Sequence, residues 1–305
     1  MDIKNGVLTN VLDDDIPEDG RFIIPDGITS IGEWAFDAYG ISYKMTSVTI
    51  PESVTSIEHH SFRGCYGLTS ITIPDSVTSI GHHAFFGCGG LASIAIGNSV
   101  TSIGDWAFYG CARLKSIAIG NSVTDIGDAA FYGCSSLTSI AIPDSVVSVG
   151  HGAFRECSKL KTIVIGSGVM SIGLGAFYRT YLKSARKNYK AFGLSPDGSL
   201  VCRNKTYRVG RRSFVKGILT LCENGLHYCT NLFEIFDYYY GEYGKDFVIA
   251  ECEVSNEQKG GMGSSKRCAR WIIPQRILTR EEVIKILNEG VKKDENQNHR
   301  RKPDN

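Results

Sequence analysis

The sequence predicts a repeat solenoid followed by a smaller α+β domain. Three observations support this prediction: a repeat of constant length, apolar residues at fixed positions within it, and a break in the pattern near residue 180. The repeat restarts at isoleucines that lie 23 residues apart, namely Ile50, Ile73, Ile96, Ile119, Ile142 and Ile165. Ile24 opens an earlier copy 26 residues before Ile50, so this copy carries an insert around 40–44.

A period of 20–29 residues with apolar residues at fixed positions is typical of a leucine-rich-repeat solenoid. In the copy that begins at Leu68, residues 68–73 alternate apolar and small polar side chains, which predicts a half-buried strand. Pro74-Asp75-Ser76 ends this strand with turn residues, and 77–80 is a second short extended segment. We expect 82–88 to form about two helical turns.

Stacked coils are required because one coil cannot bury its own apolar face. The sequence therefore predicts seven coils whose apolar side chains form continuous ladders. The heaviest ladder consists of phenylalanines: Phe36, Phe62, Phe85, Phe108, Phe131, Phe154 and Phe177. A second ladder consists of equivalent cysteines, which we interpret as buried free thiols that favour a reducing compartment: Cys65, Cys88, Cys111, Cys134 and Cys157.

Charge and pattern together divide the chain. Residues 1–180 hold 10 basic and 17 acidic side chains, a net charge of −7, whereas the remainder is basic. We predict an N-terminal cap at 1–23, the solenoid at 24–180, a C-terminal α+β domain at 181–290 and a disordered polar tail at 291–305. The first residues lack a signal-peptide pattern and no apolar run is long enough to span a membrane. These features predict a cytoplasmic protein, with a cell-surface or secreted location as the alternative if the N-terminus was trimmed.

The C-terminal part lacks the repeat. Its pattern predicts strands at about 189–193, 199–203, 206–209, 218–222, 247–254 and 268–273, and helices at 232–239 and 280–288. Thr279, with Glu282 three residues later, predicts a capping box at the start of the second helix.

The repeat Ile-Pro-Asp-Ser-Val-Thr-Ser-Ile-Gly-x-x-Ala-Phe-x-Gly-Cys resembles the BspA-type leucine-rich repeat over about residues 22–180. This resemblance implies a solenoid that is used for protein binding and surface adhesion. Residues 189–280 resemble a small domain of unknown function found in phage and bacterial proteins, through such segments as Tyr207-Arg208-Val209-Gly210 and 221–229. That second resemblance implies no activity.

The position after each core phenylalanine supplies the candidate binding residues. Aromatic side chains and arginine are the residue types enriched in binding hot spots. We therefore predict a binding surface formed by Phe86, Tyr109, Tyr132, Arg63 and Arg155. Two alternatives remain open: the rings pack only on neighbouring coils, or a partner docks on the small, neutral strand face of Ser93, Ala95 and their equivalents.

The sequence supports a metal site less well than it supports a binding surface. Cys202, Cys222, His227 and Cys229 have the chemistry of zinc ligands, but their spacing is not that of a standard finger, so a buried cluster without metal is favoured. His59-His60 and His82-His83 recur at matching positions of adjacent coils and are interpreted as a solvated helix face. We predict no metal and no cofactor.

The combined interpretation is a non-enzymatic protein-binding repeat protein with an accessory C-terminal domain. Basic residues such as Arg208 and Arg211 occur without a docking motif, so nucleic acid is not the favoured partner. The alternative is an effector-like enzyme whose solenoid is a targeting arm. Its C-terminal element order is loosely similar to ADP-ribosyltransferases, which would use NAD, with His227 or Glu251 as test positions; fold order does not establish function.

Overall fold

A computed structural model describes residues 1–36 and 41–182, and within the rest of the chain the segments 189–194, 200–202, 205–207, 213–214, 226–229, 232–237, 241–242, 247–254, 258–260, 266–269 and 271–298. The chain divides into two units. Unit 1 contains Met1–Val169 and Gly175–Tyr181, and unit 2 contains Met170–Leu174 and Leu182–Asn305. Among the described residues, no helix combines the length and apolar character needed to cross a membrane.

Unit 1 is the predicted solenoid of seven coils with a 23-residue period. The first strand of each coil pairs in parallel with its neighbours, and these strands are Arg21–Ile23, Ser47–Thr49, Ser70–Thr72, Ser93–Ala95 and Ser116–Ala118, with Ser139–Ile142 and Thr162–Ile165 as a further pair. The second strands form another parallel sheet from Ser30–Ile31, Ser56–Ile57, Ser79–Ile80, Ser102–Ile103, Asp125–Ile126 and Ser148–Val149. Equivalent positions pair in both sheets, so each side chain lies beside the residue at the same repeat position in the next coil.

The third side of each coil is a series of turns, and the prediction of helical turns at 82–88 is wrong. His83, Phe85 and Gly87 donate their backbone N–H groups to the next coil, at Asp105, Ala107 and Tyr109. A helix would direct these groups to its own preceding turn. His83 and Gly87 have φ values of +57° and +75°, in the left-handed region, which interrupts helical backbone.

The core of unit 1 is the phenylalanine ladder. The rings from Phe36 to Phe154 are completely buried, and Phe177 is 4% exposed. Successive rings stack at centroid distances from 4.6 Å for Phe36–Phe62 to 5.9 Å for Phe154–Phe177. The distances follow from the spacing of hydrogen-bonded coils, which is about 4.8 Å.

The cysteine ladder lies beside it and consists of free, buried thiols, as predicted. Each sulfur contacts the carbonyl oxygen of a phenylalanine in the preceding coil; Cys88 Sγ lies 3.1 Å from Phe62 O and Cys157 Sγ 3.2 Å from Phe131 O. The thiol therefore supplies a weak donor to a buried carbonyl group while filling the space of a small apolar side chain.

The N-terminal segment contains a hairpin that the sequence analysis missed. Asp2–Lys4 and Val7–Asn10 pair antiparallel, and Val7–Asn10 also pairs in parallel with Ser30–Ile31. The turn is Asn5-Gly6, with φ values of +51° and +78°. Asn-Gly is the preferred sequence for such a turn and could have revealed the hairpin. A short 3₁₀ helix follows at Asp13–Asp15, and Ile41–Lys44, in the insert of the first repeat, is a single helical turn.

Unit 2 is built around an antiparallel sheet. Its main strands follow the spatial order Ser213–Phe214, Trp271–Ile277, Phe247–Val254, Tyr189–Leu194, Leu226–Cys229, Lys266–Ala269 and Gln258–Gly260, and Leu200–Cys202 and Lys205–Tyr207 branch from Tyr189–Leu194. Ser171–Ile172 pairs with Gly241–Glu242. The predicted strand at 247–254 is confirmed, whereas the strand expected at 218–222 lies outside the described residues. The segment predicted as a helix at 232–239 contains a 3₁₀ helix, Leu232–Asp237.

The C-terminal helix extends from Arg280 to Asn298. The predicted capping box is confirmed: Glu282 N donates to Thr279 Oγ1 at 3.2 Å, and Thr279 N donates to Glu282 Oε2 at 2.8 Å. The helix continues past residue 290, where we expected disorder to begin. Lys292, Lys293, Glu295 and Gln297 are good helix formers and favour the extension, whereas Val291, Asp294, Asn296 and Asn298 do not. Residues 299–305 lie outside the described part.

Candidate functional site

The predicted binding residues form one continuous column on the turn side of the solenoid. We call this column the ridge: Arg63, Phe86, Tyr109, Tyr132 and Arg155. Phe86 and Tyr109 stack at 4.7 Å, and Tyr109 and Tyr132 stack at 4.8 Å. The rings are half-buried and both arginines are exposed. Stacking covers the faces of the rings, so the ridge presents mainly ring edges to solvent.

A second aromatic column runs beside the ridge. Trp34 stacks on His60 at 4.0 Å, His60 on His83 at 4.7 Å, and His83 on Trp106 at 5.8 Å. Trp34 and Trp106 are 36% and 39% exposed. The two columns touch, since Trp106 lies 5.1 Å from Tyr109. The histidine pairs were expected on a solvated helix face, whereas His60 and His83 stack with the tryptophans.

The second column occupies a costly backbone position. Its four residues have φ values of +57° to +60°, where an ordinary L-residue is strained by roughly 1–2 kcal/mol. The last two coils place Gly152 and Gly175 at this position, and glycine adopts such angles without strain. The four rings are therefore held in a backbone conformation that favours glycine, and Ala129 occupies the same position at a φ of +51°.

The ridge arginines are held by aromatic rings. The Arg63 guanidinium carbon lies 5.1 Å from the Trp34 ring centre and 5.5 Å from that of Phe86. The Arg155 carbon lies 5.8 Å from Tyr132 and 4.7 Å from Tyr178. Such cation–π contacts fix the direction of a long side chain. Both guanidinium groups are therefore preorganised at the surface.

The side chains of two other histidines and two aspartates accept hydrogen bonds from backbone N–H groups. His59 Nδ1 accepts the N–H of His82 at 2.9 Å, and His82 Nδ1 accepts that of Asp105 at 2.9 Å. Asp105 and Asp128 continue this ladder through their carboxylates. These residues and Asp125 line a groove of about 460 Å³, together with isoleucine side chains such as Ile80 and Ile103. Because the imidazole Nδ1 atoms already accept backbone N–H groups, this ladder of hydrogen bonds is structural. Among the described residues, no three metal-binding side chains form a cluster.

The remaining candidates have simpler outcomes. The strand face is exposed at Ser93, Ala95 and their equivalents, as expected. Cys222 lies outside the described residues. The strands place the backbones of Cys202, His227, Cys229 and Glu251, and their side-chain positions lie outside the described part. The prediction that these residues bind no metal and the alternative of an NAD-using enzyme therefore both stay untested.

The position of His83 predicts a pH dependence of stability. Burial is the main cause that lowers the pKa of His83 below its ordinary value of 6.5, and His60, His82 and Arg63 lower this pKa further, opposed by Asp105. Below pH 6.5 the unfolded chain therefore binds this proton more readily than the native chain does. The contribution of His83 is fully present above pH 6.5 and is lost as the pH falls from there towards its native pKa.

Denaturant unfolding at pH 7.5 and pH 5 tests this expectation. His83→Trp is the matched variant, because Trp106 shows that the position accepts tryptophan and indole does not titrate. We expect the loss of stability at pH 5 to be smaller in the variant. An equal loss in both proteins would contradict the assignment to His83.

The parallel coils of unit 1 define a repeat solenoid. The family model described as "BspA type Leucine rich repeat region" matches six copies within residues 20–191, which is more than half of the chain. The chain therefore belongs to this family. Residues 187–286 match a second model, described as "Domain of unknown function (DUF7666)". None of the curated proteins compared with the chain shows significant similarity.

Parts of the chain are similar to solved structures of leucine rich repeat proteins. A leucine rich cell surface protein from Faecalibacterium prausnitzii is 32% identical, with a TM-score of 0.42, over 55% of this chain and 41% of that protein. The leucine rich repeat protein of T. pallidum is 30% identical, with a TM-score of 0.41, over 45% of this chain and 77% of that protein. The chain thus spans less than half the length of the cell surface protein.

Proposed function

We propose that this protein is a non-enzymatic interaction protein that binds a protein partner through the ridge and the adjoining second column. The observation that carries the proposal is an exposed aromatic surface that ends in arginines fixed by rings. Such surfaces bind partners because rigid aromatic and guanidinium groups lose little conformational entropy on association. Membership of a repeat family with extended surfaces supports the same function.

The location is part of the proposal. The buried free thiols favour a reducing compartment, so we place the protein in the cytoplasm. A cell-surface location is the alternative, and fractionation with detection of the native protein distinguishes the two.

Partner capture tests the proposed surface. The full chain is immobilised and incubated with protein extract of its source cell, and bound proteins are quantified by mass spectrometry. We expect the triple variant Arg63→Ala, Tyr109→Ala, Arg155→Ala to lose at least 90% of a specifically captured protein, an effect of about tenfold in affinity. The control, Ala95→Glu with Ala118→Glu, alters the exposed strand face and should retain it.

Two results would count against the proposal. Loss of capture only in the strand-face variant would move the binding surface to the sheet. Release of nicotinamide from labelled NAD by the full chain, abolished by Glu251→Ala or His227→Ala, would instead favour the effector-like enzyme.

A further inference from the structure

Within the part of the chain that the structure describes, neither ridge arginine pairs with a carboxylate. Ion pairs in the described part of the solenoid involve other residues, including Arg179, which pairs with Glu156 at 2.9 Å. Arg63 and Arg155 are instead held over rings, and both are exposed. A guanidinium group that is fixed, exposed and not neutralised is well suited to receive a carboxylate from another molecule.

The surface between these arginines also carries partial positive charge. The edges of aromatic rings carry partial positive charge, and the stacked rings of Phe86, Tyr109 and Tyr132 expose their edges. This positive strip lies on a stretch of chain whose net charge is −7 over residues 1–180.

The repeat also fixes the distance between the two charges. Arg63 and Arg155 occupy the same position in coils that are four steps apart, which corresponds to about 19 Å at the spacing of hydrogen-bonded strands. An extended peptide advances about 3.3 Å per residue, so six residues cover about the same distance. Residues i and i+6 of such a peptide lie on one face, together with i+2 and i+4.

We propose that the ridge binds an extended acidic segment of a protein partner, with two carboxylates six residues apart and small apolar side chains between them. One carboxylate pairs with Arg63 and the other with Arg155. The intervening apolar side chains pack on the edges of Phe86, Tyr109 and Tyr132. This inference rests on the proposed function and names the chemistry of the partner.

Two peptides of identical composition test the spacing. The first is acetyl-Glu-Thr-Val-Thr-Val-Thr-Glu-amide, and the second, acetyl-Thr-Glu-Val-Thr-Val-Glu-Thr-amide, brings the glutamates closer and turns them away from the valines. Each carries a neutral dye, and binding to the full chain is measured by fluorescence anisotropy. We expect the first peptide to bind roughly tenfold more tightly, and its affinity to fall as salt is raised.

Arginine variants identify the contacts. Arg63→Ala and Arg155→Ala should each weaken the first peptide by roughly tenfold, the effect of losing one charge-assisted contact. Arg113→Ala removes an exposed arginine that is not part of the ridge, so it should not change the affinity. Circular dichroism confirms that each exposed substitution leaves the fold intact.

The proposal is overturned if both peptides bind equally, if Arg113→Ala weakens binding as much as Arg63→Ala, or if a sulfated hexasaccharide binds with the same arginine dependence while the peptides do not.

Failure of the proposed function gives a different pattern. Loss of the captured protein in the ridge variant together with equal peptide binding removes the acidic-segment inference and leaves the binding surface in place. Retention of the captured protein in that variant removes the proposed function itself.

Discussion

Phe85→Ala is expected to lower the free energy of unfolding of the solenoid by about 3–5 kcal/mol. The Phe85 ring is completely buried and stacks on Phe62 at 5.0 Å and on Phe108 at 5.2 Å. Removing it loses the transfer free energy of the ring and leaves a cavity. The hydrogen-bonded coils above and below keep their spacing and so limit collapse into that cavity.

The neighbouring residue provides the matched control. Phe86 is half-buried in the ridge, where it stacks on Tyr109 and also contacts His83 and Arg63. Phe86→Ala should therefore cost about 1–2 kcal/mol, less than Phe85→Ala because folding removes less of this ring from water. Hydrogen exchange of the solenoid strands, followed at increasing denaturant, measures both values in the same unit. Equal losses would mean that the ridge ring is part of the core and would weaken its assignment to binding.

The second large effect is expected for thiol reactivity. Burial raises the pKa of Cys88 and of Cys157 to about 12, and it raises the pKa values of Cys111 and Cys134 well above the ordinary value. Thiolate is the reactive form, so at pH 8 these cysteines should react with iodoacetamide at least about 1000-fold more slowly than an exposed thiol.

Arg113→Cys supplies the exposed thiol for comparison, since Arg113 lies on the surface of the same solenoid. Alkylation is followed site by site with mass spectrometry, in buffer and in denaturant. In denaturant all sites should react at similar rates. Rapid alkylation of Cys111 or Cys134 in the native protein, or a mass that reveals disulfides, would contradict the buried thiol ladder.

The repeat spacing was sufficient to predict the solenoid. Restarts at Ile50, Ile73 and their equivalents establish the number of coils, because parallel stacking places residues 23 apart against each other. The same logic correctly placed Phe85 and Cys88 in the core. Stacking places the side chains of one repeat position against each other in successive coils, so these ladders can be inferred from the period alone.

The turn segment was less predictable. Residues 82–88 have a composition compatible with helix, but their backbone N–H groups bond to the next coil. Local propensity does not report such non-local bonds, and it gave no reason to expect Trp34 or His60 in left-handed backbone. The prediction of a helix therefore did not place Trp34, His60 and His83 in the single column that they form in the folded chain.

The sequence by itself determined the period, the core ladders and the residue types of the ridge, because each depends only on which residue recurs every 23 positions. Tertiary structure decided which exposed residues form one surface. The left-handed backbone directs Trp34, His60, His83 and Trp106 into a column beside the ridge, and the coil spacing brings Arg63 and Arg155 onto the rings that hold them. The side-chain directions arise from backbone hydrogen bonds between coils, and the order of residues along the chain does not show which backbone groups form those bonds.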